Sequence, residues 1–240
     1  MFITFEGCEA SGKSTQSKIL RSKLESMGYH VLLTKEPGGT ELAENIRSIL
    51  LDHEINDPLT ELFMLSTARH DHILKIAKAL RSGSIVISDR FADSSRVYQG
   101  YAKGLKTEIV EQLINLSTSF NYINNSSLNH AENIESDFHS GLRQYIKQNF
   151  ANSIIEPDIT ILLDIEIETL KARIEASSIH QSFYDKKDIG FHIDIRNGFL
   201  DLQKRFPDRI RIIDGNKTAD VVTKQIFDLL DSNTKLKMKN

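Results

Sequence analysis

The strongest constraint on this chain lies at its start, in residues 2–15, FITFEGCEASGKST. Phe2, Ile3 and Phe5 make a short apolar, β-prone run. It breaks into Gly7-Cys8-Glu9-Ala10-Ser11-Gly12-Lys13-Ser14, which satisfies G-x-x-x-x-G-K-[ST] at every specified position, and Thr15 follows. Ile19, Leu20 and Leu24 then recur at helical spacing. A strand, a glycine turn and a helix start aim successive backbone N–H groups and the positive end of a helix dipole at one point. Such a loop cradles a phosphate chain. Lys13 is placed to reach its outer phosphates, and the Ser14 hydroxyl to ligate Mg²⁺.

The rest of the chain decides what surrounds that loop. At 240 residues it suits one domain, or one domain carrying an insertion. Cys8 is the only cysteine, so no internal disulfide forms, and the residue reads as a passive part of the loop. A formal net charge of −3 argues against a general nucleic-acid binder. No run approaches the roughly 18 apolar residues of a membrane span, and a strand starts at once, without a signal peptide. A cytoplasmic protein with no membrane partner is the expectation. The 8 histidines, His70 and His72 included, show no metal-ligand spacing and are expected on helix surfaces.

Strand and helix patterns alternate along the sequence. Strands are expected at 30–34, 84–88, 159–164 and 210–213 after the first, with short apolar runs that suit burial on both faces of a parallel sheet. Helices are expected over 41–51, 59–80, about 107–116, 168–176, about 192–205 and 219–230, with a loop and a helix start over 92–104. The stretch 117–153 turns polar and asparagine-rich and reads as an insertion with one short helix at 139–150. The polar loop 177–190 reads as a lid. This alternation predicts an α/β fold, a five-stranded parallel sheet in a three-layer αβα arrangement of the P-loop NTPase type. Its binding crevice lies beyond the C-terminal strand ends, where Glu9, Glu36, Asp89 and Arg90 fall.

Four segments go beyond the loop: GCEASGKST, TKEPGGTELAENIRSILL, DRFADSSRVYQGYAKG and PDITILLDI. In this order and at these spacings they resemble the motifs of bacterial thymidylate kinases, over about residues 1–116 and 155–230. The resemblance implies a homodimeric, Mg²⁺-dependent kinase that moves the γ-phosphoryl of ATP to dTMP. Carried over position by position, it implies that residues Gly7 to Thr15 hold ATP and that Ser14 and Asp89 organise the metal. It implies that Glu9 helps to set the phosphoryl acceptor and that Glu36 lies on the substrate or metal side. Arg47 and Arg90 match the arginines on the dTMP phosphate, where a planar guanidinium gives bidentate recognition. Arg69 matches the donor to a thymine carbonyl, and Ser95, Tyr98 and Gln99 match the lining of the base pocket.

The chain departs from the family pattern in three places. Leu65 stands where a phenylalanine stacks on the base. Ala10 stands at the loop position where some members carry a catalytic arginine, which makes this a lid-arginine type; yet the aligned lid position holds Phe183. Arg173, just before the lid, is then the expected catalytic arginine, helped by Lys186 or Lys187. The third departure is the polar 117–153 segment. Two rival readings stay open at this point: a kinase for another nucleoside or nucleoside monophosphate, and a catalytically weakened nucleotide-binding module.

Overall fold

A computed structural model describes residues 1–119, 154–176 and 183–233. Period-two burial organises it. In β1 (Phe2–Glu6) the side chains of Ile3 and Phe5 pack into one apolar cluster and Phe2 into another, on the opposite face. β3 (Ile85–Asp89) does the same with Ile85 and Ile87 against Val86, and β4 (Ile159–Asp164) with Ile161 and Leu163 against Leu162. Strands with both faces buried need helices on both sides. α1 (Lys13–Ser26) and α8 (Ala219–Asn233) cover one face through Leu20, Leu24, Val222, Ile226 and Leu230. The other is covered by α3 (Pro58–Arg81), α5 (Thr107–Thr118) and α7 (Ile189–Arg205).

β2 (Val31–Lys35) and β5 (Ile210–Asp214) complete a five-stranded sheet in the order β2-β3-β1-β4-β5, every pair parallel. The expected fold class is therefore the observed one. β1 lies in the centre, with crossovers leaving it on both sides. The crevice at its C-terminal end is the switch point at which ligands of such sheets bind. α2 (Glu41–Asp52) is capped by Thr40, whose hydroxyl accepts from the Ala43 N–H at 3.2 Å. α3 starts at Pro58 behind Asp57, whose carboxylate accepts from the Thr60 N–H at 2.8 Å. α6 (Ile167–Ala176) precedes the stretch expected as a lid, and within that stretch a single turn, Tyr184–Lys186, comes before α7.

Where the sequence pattern predicts a loop with a helix start over 92–104, the chain is helical over 92–102. α4 (Ala92–Ser95) runs straight into a π-helix, Arg96–Ala102, closed by the Lys103 N–H on the Tyr98 carbonyl at 3.1 Å. Val97 and Tyr98 pack in one cluster with Ile195 and Phe199 of α7, and this tertiary contact supplies what local propensity does not. The expected helix at 139–150 and lid residues 177–182 lie outside the described residues.

Candidate active site

The phosphate loop is shaped by close approach. Gly7 has φ +137°, and a β-carbon there would lie 2.5 Å from the Leu163 carbonyl oxygen. Gly12, also left-handed, starts α1. Lys13 curls under the loop, its Nζ donating to the carbonyls of Cys8 at 2.5 Å and Gly7 at 3.2 Å and to Ser11 Oγ at 3.2 Å. Burial, then the Arg90 charge, pull its ammonium down to about 8. Burial and the neighbouring Glu9 push the Cys8 thiol up to about 12, so it stays protonated and inert, as a passive loop residue should.

β3 delivers the second half of the site. Asp89 ends the strand and accepts from the Ser14 hydroxyl, so the two expected metal ligands, 75 residues apart in sequence, touch. Arg90 follows with φ +71°, a left-handed conformation rare for arginine. Its backbone N–H on the Phe5 carbonyl at 2.9 Å and its carbonyl under the Ser88 hydroxyl at 2.7 Å hold it there. The guanidinium reaches the Gly7 carbonyl at 3.1 Å and Glu9 Oε1 at 3.1 Å. Glu9 Oε1 also accepts from the Tyr98 hydroxyl at 2.5 Å, and His192 Nδ1 lies 3.7 Å from Oε2. Burial alone would raise the Glu9 carboxyl. His192, the charges of Arg90 and Lys13, and the Tyr98 hydroxyl outweigh it and hold the group down at about 2.

Behind the chain turn at 36–40 a buried ion pair fixes the guanidinium of Arg69. Arg69 Nε donates to Glu36 Oε2 at 2.8 Å and its Nη2 to Ser95 Oγ at 2.9 Å. Glu36 Oε1 faces His72 Nδ1 at 3.3 Å, and His72 Nε2 lies 2.7 Å from Thr34 Oγ1. Both Glu36 oxygens are thus engaged, and the acid positions Arg69 rather than standing free towards a metal. Gly39 makes room for this arrangement: a β-carbon there would collide with the His72 ring and come within 2.6 Å of Thr34 Oγ1. His72 is fully buried, and so is His192. The expectation of surface histidines fails at both, while His70 is exposed. Arg47 spans back to the Pro37 carbonyl at 2.9 Å, with no carboxylate within ion-pair distance among the described residues.

One cavity of about 1160 Å³ unites these groups. It is lined by Glu9, Ala10, Lys13, Ser14 and Asp89, and also by Glu36, Arg47, Leu65, Arg69, Arg90, Ser95, Tyr98 and Gln99. The phosphate loop therefore opens directly onto an arginine-rich second part of the same cavity. The thymidylate kinase family model matches residues 5–117 and 131–226. Curated thymidylate kinases of Syntrophotalea carbinolica and Bacillus licheniformis are 35% and 32% identical. The alignments span 94% of this chain and 93% of the first relative, and 96% and 95% for the second. The chain belongs to the thymidylate kinase family. A crystal structure of thymidylate kinase from Ehrlichia chaffeensis superposes with a TM-score of 0.66 at 31% identity, covering 96% of this chain and 98% of that one.

Set within the family, the three departures now have positions. Leu65 lines the cavity one helical turn before Arg69, while Phe63 is 52% exposed and points away, so no ring replaces the missing one on α3. Phe183 packs under Lys187, whose Nζ lies 4.1 Å from the ring centroid and 3.0 Å from Glu54. Lys187 is thus tied outwards, Lys186 is exposed, and neither lines the cavity, so the expected help from these lysines is not assembled. Arg173 does not line the cavity either, but it does meet the loop: its Nη1 donates to the Ala10 carbonyl at 3.1 Å and its Nη2 to that of Gly215 at 2.8 Å. The polar 117–153 segment is described only at 117–119, where Ser117 and Thr118 end α5 and Ser119 bridges to Ile154.

Sequence reading missed Glu61, Glu6, His72 and His192. Glu6 is buried at the end of β1, accepts from the N–H groups of Phe91 at 2.8 Å and Ser94 at 3.2 Å, and so pins the turn after Arg90. A signal for two of the others existed: Glu61, Leu65, Arg69, His72 and Ile76 follow helical spacing on one face of α3, and all but Leu65 are fully buried. Charged residues on an otherwise inward face mark a site.

Proposed function

We propose that this chain transfers the γ-phosphoryl group of ATP to dTMP, giving dTDP and ADP. The observation that carries the reading is the single cavity shared by the Lys13–Ser14–Asp89 group and the Arg47–Arg69–Arg90 group. Phosphoryl transfer depends on positioning and charge neutralisation, and the two groups supply cations to both phosphate chains. The loop N–H groups and Lys13 hold the donor phosphates. Arg47 and Arg90 hold the acceptor phosphate, Glu9 and Tyr98 border its sugar, and Arg69 with Gln99 faces its base. Mg²⁺ fits the donor set, since a hydroxyl and a carboxylate in contact are hard oxygens and this ion takes few protein ligands beside phosphate and water. Ser14 and Asp89 would hold it, and it would neutralise charge on the phosphate oxygens.

Glu9 bears on the rival readings. A nucleoside acceptor needs a base for its 5′-hydroxyl, whereas a phosphate oxygen attacks already ionised. A carboxyl held at about 2 and tied to Arg90 and Tyr98 is a poor base, which favours the phosphorylated acceptor.

The same reading makes the chain one kinase domain with a lid at about 177–190 and a polar excursion at about 117–153. It places the enzyme in the cytoplasm; among the described residues no helix is long and apolar enough to cross a membrane. It also makes the enzyme a homodimer. Leu42 and Ile49 on one face of α2, and Phe63 and Leu74 on one face of α3, are exposed apolar pairs that support association there. The test is Mg²⁺-dependent ADP release from ATP with dTMP, dUMP, dCMP and thymidine. Turnover strongest with dTMP is expected. Thymidine as the preferred acceptor, or binding of ATP and dTMP without turnover, would overturn the proposal.

A further inference from the structure

Glu61, which no sequence motif marks, is a buried acid in the first turn of α3 on which three donors converge. Gln99 Nε2 lies 2.9 Å and Lys103 Nζ 2.7 Å from Oε2, and the Tyr184 hydroxyl donates to Oε1. A carboxylate only accepts. The amino end of the Gln99 amide is therefore obliged to face Glu61, and its carbonyl Oε1 is turned the other way. That Oε1 is buried with no hydrogen-bond partner among the described residues. So is Nη1 of Arg69, whose Nε and Nη2 are fixed by Glu36 and Ser95. Both residues line the same cavity. A base drawn in beside these two side chains would meet one fixed donor and one fixed acceptor.

We infer that Glu61 is a positioning residue that sets acceptor specificity: by locking the Gln99 amide it makes the pocket take a 4-oxo pyrimidine with a ring N3–H and refuse a 4-amino pyrimidine with a bare N3. This deepens the dTMP reading and rests on it. Thymine or uracil presents a carbonyl to Arg69 and an N–H to Gln99 Oε1. Cytosine presents an amino group to the guanidinium and a lone pair to the carbonyl oxygen, leaving buried groups unpaired. The second mismatch disappears if the amide turns over, so discrimination depends on what holds it. Tyr184 belongs to the lid turn and stands edge-on to Tyr98, with ring centroids 5.4 Å apart, so lid and base subsite share this one carboxylate.

The test is Glu61→Gln, which preserves shape. Gln99 and Lys103 share one Glu61 oxygen, so Lys103, already 3.3 Å from the Tyr184 hydroxyl, crosses to the oxygen that Tyr184 holds; Nε2 of the new side chain then faces Gln99, and the amide is drawn into the reversed orientation. Dissociation constants for dTMP and dCMP, by calorimetry, and kcat/KM for both are the readouts. Glu61→Gln is expected to lower the dTMP-over-dCMP preference by about tenfold or more, with the melting temperature close to wild type. Glu61→Asp, still acceptor-only, is expected to keep the preference within about threefold even where affinity falls. In a Gln99→Leu background, Glu61→Gln is expected to move the preference by less than about twofold, because no amide remains to orient. An unchanged preference in Glu61→Gln, an equal loss in Glu61→Asp, or an equal effect without Gln99 overturns the inference and leaves the dTMP reading standing. A wild-type protein that binds dTMP and dCMP alike overturns both.

Discussion

Removing Arg173 tests how this chain compensates for having Phe183 where the family resemblance implies an arginine. Both hydrogen bonds of this guanidinium end on backbone carbonyls, those of Ala10 and Gly215, and no carboxylate lies within ion-pair distance among the described residues. By contrast Arg196 is spent on Asp164, Arg209 on Asp93, and Lys187 on Glu54. Arg173 therefore brings an uncompensated positive charge to the phosphate loop. A unit charge about 4 Å from a phosphate oxygen, at an effective dielectric near 20, is worth about 4 kcal/mol before screening. Because the residue is partly exposed, about half of that is the better figure, roughly 2 kcal/mol, or about 30-fold in rate. Arg173→Ala should thus lower kcat/KM for ATP by about 30-fold or more while moving the KM for dTMP by less than about threefold. Arg173→Lys should recover part of the loss, since charge returns without the two-pronged grip on the carbonyls. The double Lys186/Lys187→Ala variant should fall by less than about threefold. Steady-state kinetics with ATP and dTMP varied in turn, on variants matched by thermal melting, decide the matter. An Arg173→Ala enzyme within about tenfold of wild type refutes the reasoning.

Two further outcomes follow from the same geometry. Leu65→Phe returns a ring to the cavity one turn before Arg69, and the Kd for dTMP should fall about 2- to 12-fold, the equivalent of about 0.5–1.5 kcal/mol for an aromatic contact; equal Kd values by calorimetry would count against it. Lys13, held at about 8 by burial, should regain its proton when a triphosphate lies beside it. Binding of ATP should then take up about half a proton at pH 8 and almost none at pH 6.5, read from binding heats in buffers of different ionisation enthalpy. The sign follows from the free protein being already protonated at the lower pH; proton release at pH 8 would exclude Lys13 as the titrating group.

Much of the architecture was legible because its signals are local. The strand-to-helix switch around Gly7–Ser14 needs only a few consecutive residues, and buried strands such as Ile159–Asp164 carry their own apolar run. The π-helix at Arg96–Ala102 was not legible, since it depends on packing against α7. Site residues fell the same way. Lys13, Ser14 and Asp89 stand in recognisable segments. Glu61 looks like an ordinary acid in a first helical turn, and His192 like a helix-surface histidine, until the fold buries them.

The sequence by itself determined the phosphate loop, the alternation of strands and helices, and hence a parallel sheet with its crevice at the C-terminal edge. Periodicity specifies which face of an element turns inward. It does not specify what that face meets. Only the strand order β2-β3-β1-β4-β5 sets Ser14 against Asp89, Arg173 against Ala10, and Glu61 between Gln99 and Tyr184. Those pairs are 75, 163, 38 and 123 residues apart, so they are decided by how packed elements cross in space and not by any neighbour along the chain.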